Sequence, residues 1–212
     1  MAPDQPHTPT DPDNAGSATL LATVKGNFSV TFVDEASGTI LGAPVVGKPG
    51  AQPHEIILSK DGRRAFVSLY GDNGYPDNTP NNQIAVVDVH QMSLERVIDT
   101  DLYRGPHGLA QDFLGRIWAT AECNQCIIVI DPDSCEIVRT VHSETRCHFL
   151  APSRDGRLIY SGHKELPFIG VHDAETCRMI DKITRDIGSQ AIWHAPDKDL
   201  LKLLTDNNVD IA

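Results

Sequence analysis

The residues in this chain best suited to chemistry are histidines, and three of them recur in one setting. His54, His107 and His148 each stand eight residues ahead of a turn glycine, at Gly62, Gly115 and Gly156. An imidazole titrates near neutrality, carries protons and is the commonest metal ligand. Three imidazoles with one or two carboxylates can hold a divalent cation (Ca, Mg, Mn or Zn) and leave a position for water or substrate. A second set of polar residues follows each histidine: Tyr70 and Asp72, then Glu122, then His163 and Glu165. Within it, His107 and Glu122 form the best acid–base pair, with His as base and Glu as orienter or ligand. The plainer reading is that an imidazole repeated with a structural unit is a hydrogen-bonding feature of that unit, and this reading is favoured over ligation.

The cysteines offer a second constellation. Cys123-Asn124-Gln125-Cys126 is a C-x-x-C. A structural zinc needs four ligands, and only these two thiols and His107 are near. A redox C-x-x-C opens a helix, which lowers the thiol pKa, whereas this one separates two strand-like segments. A plain hairpin with Asn124-Gln125 as its turn is the favoured reading. Cys147 and Cys177 read as small apolar fillers. Five cysteines is an odd count with no disulfide framework, so reduced thiols and a cytoplasmic setting are expected.

What must position these groups is an internal repeat. QPHEIILSKDGRRAFVSLYG, a polar loop and NQIAVVD run from Gln52 to Asp88. GPHGLAQDFLGRIWATAE and CIIVID repeat the order from Gly105 to Asp131, and CHFLAPSRDGRLIYSGHKE and FIGVHD from Cys147 to Asp173. Each copy is an entry histidine, an apolar strand, a glycine turn, a second strand, a loop and a third strand closed by Asp. Asp34, Asp88, Asp131 and Asp173 recur evenly except for the first interval, which the insertion Asp72–Asn81 lengthens. An Asp there can accept from backbone N–H groups two residues on and fix the turn into a fourth strand, so these four are structural.

Four short strands per unit with no helix-length periodicity predict an all-β chain, a β-propeller of four-stranded antiparallel blades. Residues 1–17 are rich in Pro, Asp and Thr and are expected to be disordered. The propeller region spans 18–212, with blades near 18–46, 52–98, 105–140 and 147–183 and a partial one at 190–212. The first repeat lacks its first strand. About four and a half blades imply either a piece of a larger propeller or a small closed ring in which Gln190–Ala195 completes the first blade; the surplus tail favours the piece. An incomplete ring leaves its core unclosed, so self-association is expected.

In a propeller the first strands line the central channel, and their starts open onto the same face as the loops after the second strands. That places His54, His107 and His148 around one mouth, with Tyr70, Asp72, Glu122, His163 and Glu165 about them and Asp72–Asn81 above. Loops on a rigid scaffold are where binding concentrates. Trp118 and Trp193 read as blade-to-blade packing.

The repeats resemble YVTN-type β-propeller blades, a WD-like group that also covers lactonase-like propellers. PHEIILSKDGRRAFVSLYG with IAVVD, and HFLAPSRDGRLIYSG with GVHD, carry the resemblance. GPHGLAQDFLGRIWATAECNQCIIVID is similar to blades of streptogramin lyase-like propellers. The resemblance runs from about Ala18 to Leu204. It implies the fold directly, because the repeat is the fold's own signature. Clear repeats without a catalytic motif favour a propeller that binds a small ligand or a protein at its loop face; the resemblance implies the alternative, a metal-assisted lactone hydrolase or lyase with His54, His107, His148 and Glu122 at the mouth.

The formal charge of −11, from 18 Lys and Arg against 29 Asp and Glu, argues against nucleic acid and anionic membrane as partners. No apolar run approaches the roughly 20 residues that span a bilayer, and the first residues lack the basic and apolar regions of a secretory signal.

Overall fold

A computed structural model describes residues 19–71, 80–189 and 191–192. Four antiparallel sheets follow one another along the chain. The first is three-stranded: β1 (Thr19–Val24), β2 (Ser29–Asp34) and β3 (Ile40–Gly42). The second contains β4 (Pro53–Leu58), β5 (Arg64–Gly71), β6 (Pro80–Asp88) and β7 (Ser93–Asp99). The third contains β8 (Pro106–Gln111), β9 (Ile117–Ala121), β10 (Cys126–Ile130) and β11 (Ile137–His142). The fourth contains β12 (Cys147–Pro152), β13 (Leu158–His163), β14 (Phe168–Asp173) and β15 (Arg178–Thr184). Strand order equals chain order in every sheet, as in the blades of a β-propeller. No helix among the described residues is long and apolar enough to cross a membrane. The expectations for residues 1–17, for Asp72 and most of the insertion, for Trp193 and for most of the fifth repeat lie outside the described residues.

The turns follow from the repeated glycines and aspartates. Gly62, Gly115 and Gly156 take φ of 70°, 85° and 74°, a region where a β-carbon is strained. Asp34, Asp88 and Asp173 each accept the backbone N–H three residues on, from Ser37, Gln91 and Thr176, at 2.7 Å in each case. Asp131 takes both the second and third, from Asp133 at 2.9 Å and Ser134 at 3.0 Å. The dominant offset is therefore three residues, not two: the carboxylate closes the four-residue turn into the outer strand.

Apolar faces of neighbouring blades meet in three cores. Val30, Phe32, Val67 and Leu69 fill the first and second blades' junction. Phe66, Ile84, Ile117 and Ile128 fill the second and third blades' junction. Trp118, Ile127, Leu150 and Ile159 fill the third and fourth blades' junction, where Trp118 is fully buried as the sequence predicts. Buried aromatic area of this kind dominates core energetics. One ionic cluster bridges the last junction. Fully buried Asp112 accepts Trp118 Nε1 at 2.9 Å and Arg116 Nε at 2.8 Å, and Arg116 Nη2 reaches across to the Ala174 carbonyl.

Candidate binding site at the histidine stack

Each of the three histidines sits where strand pairing breaks register. The pairing shifts between Pro53 and Ile56, between Pro106 and Leu109, and between Cys147 and Phe149. Such a bulge re-aims a side chain out of the alternating pattern. A hydroxyl on the second strand satisfies the freed backbone N–H: Ser68 Oγ takes Glu55 N at 3.0 Å, and Thr120 Oγ1 takes Gly108 N at 2.9 Å. The bulges therefore turn all three imidazoles into one stack. Ring centroids lie 4.4 Å apart between His54 and His107 and 3.9 Å apart between His107 and His148. His107 and His148 are buried and His54 is partly buried.

Gly108 makes the close approach possible. A β-carbon there would stand 2.7 Å from both the His148 carbonyl oxygen and the Phe149 Cα. With none present, β8 draws near β12 and His107 Nδ1 reaches the His148 carbonyl at 3.0 Å.

Three blades then contribute to one hydrogen-bonded chain. Tyr70 of the second blade donates its hydroxyl to Glu122 Oε2, and His148 of the fourth blade faces Glu122 Oε1 with Nδ1. His54 Nδ1 faces Glu55 Oε1 at 3.2 Å. Tyr70 also packs on His54 and His107, with centroids 5.3 and 5.0 Å away.

The electrostatics follow. Burial raises the pKa of Glu122, but the hydrogen bonds from His148 and Tyr70 outweigh it and hold the carboxyl below its ordinary value. The hydrogen bond to His54 outweighs burial and likewise lowers Glu55. Burial, with repulsion from His148 and His54, pushes His107 down to about 3, so it is neutral at physiological pH. Burial, then the hydrogen bond and charge of Glu122, push the Tyr70 phenol up. Ligand atoms of His54, Glu55 and His107, and of His107, Glu122 and His148, each lie within 4.8 Å of one another, so each group could hold a metal ion.

The structure thus brings together His54, His107, His148, Tyr70 and Glu122 from the sequence expectation. It does not bring His163 and Glu165 into contact with them. His163 occupies the slot in the fourth blade that Tyr70 and Glu122 fill in the second and third, but it turns along its own sheet. Glu165 accepts Thr145 Oγ1 at 2.6 Å and pairs with Arg146 at 3.8 Å. Glu55 is the residue the sequence reading missed. Its only signal was adjacency to His54, which alternation would send to the opposite face.

A second imidazole cluster lies between the third and fourth blades. Ser161 Oγ is 3.1 Å from His163 Nε2 and 2.8 Å from His172 Nε2. One hydroxyl has one proton, so it donates to one ring at most. Gly170 keeps this space: a β-carbon there would stand 2.4 Å from Ser161 Oγ and 3.1 Å from His172 Nε2. Both rings are buried, and burial lowers both pKa values, that of His172 to about 4 with His163 adding repulsion.

The C-x-x-C is a hairpin. Its turn is a single 3₁₀ turn over Glu122–Asn124 followed by Gln125 at φ 53°, rather than a two-residue Asn124-Gln125 turn. All five cysteines are free thiols. Cys147 and Cys177 are buried in the junction core, as apolar fillers should be.

No protein-family model matches the chain, and no curated protein matches its sequence. Solved structures do match. Hydrazine synthase of Kuenenia stuttgartiensis superposes with a TM-score of 0.65 at 20% identity, over 87% of this chain and 53% of that one. Dihydro-heme d1 dehydrogenase NirN in complex with DHE superposes with a TM-score of 0.56 at 16% identity, over 81% of this chain and 36% of that one. The chain spans about half or less of the length of these two chains. Both are β-propeller proteins, and at these identities they show the fold.

Proposed function

We propose that this β-propeller chain binds a small ligand through its loop face, at the mouth formed by His54, His107, His148, Tyr70 and Glu122. One observation carries the reading: three buried or partly buried imidazoles stacked with neighbouring ring centroids no more than 4.4 Å apart, tied to a carboxylate that is itself shared by two other blades. Burying this many polar groups costs stability unless they are fully paired, and converging polar groups at a channel mouth are the usual form of a ligand site.

A second reading, hydrolysis or elimination on the bound ligand, draws support from the Glu122–His148 pair. A carboxylate on Nδ1 orients the ring and makes the opposite nitrogen a better base. The lactonase-like resemblance of the repeats points the same way.

Thermal-shift screening tests the first reading. The panel holds lactones, small carboxylic acids, inorganic anions and, because NirN carries DHE, haem-type compounds. A saturable rise in Tm that His107→Gln abolishes is the expected result. No stabiliser, or stabilisation equal in wild type and variant, refutes the reading. Turnover of a lactone that His148→Gln stops would establish the second.

A further inference from the structure

We propose that two copies of this chain close one propeller ring head to tail, the fourth-blade end of each docking on the exposed face and free strand edge of the other's first blade. What the first blade lacks and what the fourth blade begins are the same piece.

Pairing register sets the receiving face. Leu20 stands opposite Val33 and Val33 opposite Ile40, so the three form one cross-strand row, with Ala22 and Thr31 beside it. Val30 and Phe32 alternate to the other side and fill the core shared with the second blade. Leu20 is 60% and Ile40 65% exposed, and Val45, bridged to Ser29 on the same face, is 61% exposed. None of these residues is charged, in a chain of net charge −11. An exposed apolar face of this kind marks an interaction surface. In the later blades the equivalent face is buried by the blade before: Val67 in the second, Ile117 in the third and Ile159 in the fourth. The first blade also lacks a strand. β2 closes on Asp34, as the third strands β6 and β14 close on Asp88 and Asp173, so β1 holds the second-strand position. In that position β5, β9 and β13 pair on both sides, whereas β1 pairs with β2 alone among the described residues. An unpaired edge is a template for a strand from another chain.

The other end of the chain carries the matching piece. Past the fourth blade, Gly188 comes so close that a β-carbon would stand 1.9 Å from the Lys164 carbonyl oxygen. Ser189 N then donates to the His163 carbonyl at 2.7 Å. Ile192 packs on Gly162, its Cδ1 3.1 Å from where a β-carbon would stand. Ile192 holds the repeat position of Leu109 and Leu150, the first-strand residues that fill the junctions with the blades before them. A first strand is therefore begun on the fourth blade, and a first strand is what the first blade lacks. The two ends do not cover each other within one copy, because Leu20 and Ile40 face solvent. The chain overlays about half of the hydrazine synthase chain, so its arc is that of a wider ring. Two copies of four sheets make eight blades, within the range of propellers. A head-to-tail contact made twice about a twofold axis closes and leaves neither end open.

Sedimentation equilibrium of the full chain tests this. The expected mass is twice the 23.1 kDa of one chain. Ile40→Asp on the receiving face and Ile192→Asp at the docking end should each halve that mass while circular dichroism stays native. Leu114→Asp, also at an exposed apolar position but in a turn of the third blade, should leave the dimer intact. An equimolar mixture of Ile40→Asp and Ile192→Asp should recover a dimer, because one copy keeps the docking end and the other the receiving face. Hydrogen–deuterium exchange of the wild type reads the same contact without a variant: amides of β1 should be protected at high concentration and lose protection on dilution to monomer. A wild-type monomer, a ladder of larger species, a dimer lost in Leu114→Asp, no recovery on mixing, or β1 exchange independent of concentration would overturn the proposal. So would a dimer that Ile40→Asp breaks and Ile192→Asp keeps, which would mean two first blades packed face to face.

Discussion

Acid should loosen the junction between the third and fourth blades, and His172 sets the size of the effect. Its pKa falls from 6.5 to about 4 in the folded protein, through burial and the nearby His163. In the unfolded chain the ring recovers its ordinary pKa of about 6.5. The unfolded state therefore binds more protons between these values, so stability rises with pH across that window. The contribution is complete above about pH 6.5 and is lost as pH falls toward about 4. Between about pH 7.5 and about pH 4.5, His172 alone removes on the order of 2–3 kcal/mol, at about 1.4 kcal/mol per pKa unit. The assay is urea denaturation at a series of pH values for wild type and His172→Gln. Glutamine cannot titrate but retains an amide to meet Ser161. The variant should lose on the order of 2–3 kcal/mol less than wild type over the same span. Equal losses in the two proteins, or stability that grows on acidification, would refute the reasoning. His163 is displaced in the same direction by burial, so His163→Gln should shallow the slope as well.

Three further outcomes are expected. Gly108→Ala puts a β-carbon 2.7 Å from the backbone of β12 and should destabilise by about 1–3 kcal/mol in denaturant melts while weakening the ligand site, whereas Gly26→Ala, with nothing within 4 Å, should stay within about 0.5 kcal/mol. Asp112→Ala strands the partly buried Arg116 guanidinium and the Trp118 N–H and should cost about 3 kcal/mol, read from the denaturation midpoint. Cys126 has its thiol pushed up to about 11 by burial and Cys147 is raised further, so a thiol reagent at neutral pH should modify exposed Cys123 and spare both until the protein unfolds.

The repeat made the scaffold legible. The spacing of His54, His107 and His148 from their turn glycines, and the closing aspartates, marked the blade boundaries, because turn chemistry is local and leaves a local trace. The same spacing placed the three imidazoles at the starts of equivalent strands, where their rings stack. What stayed hidden depends on bulges and on cross-strand geometry. Strict alternation sends His54 and Glu55 to opposite faces, and only the register shift after Pro53 lets them pair. Gly108 reads as one more strand residue until β12 is placed 2.7 Å from its missing β-carbon. His163 shares a repeat slot with Tyr70 and Glu122, so the pattern assigns it to the mouth. Ser161, two residues back on the same strand and shared with His172 of β14, holds it elsewhere. A pattern that repeats along the chain specifies where a side chain starts, and its neighbours decide where it points.

The binding site is built on the orientation of three rings, each of which turns Nδ1 to an acceptor: His54 to Glu55, His107 to the His148 carbonyl and His148 to Glu122. Long-range ¹⁵N–¹H correlation spectra of the metal-free protein near neutral pH read this directly, with His→Gln variants supplying the assignments. The Nδ1–H tautomer is expected for His54, His107 and His148 alike. An Nε2–H tautomer in any of the three would contradict it.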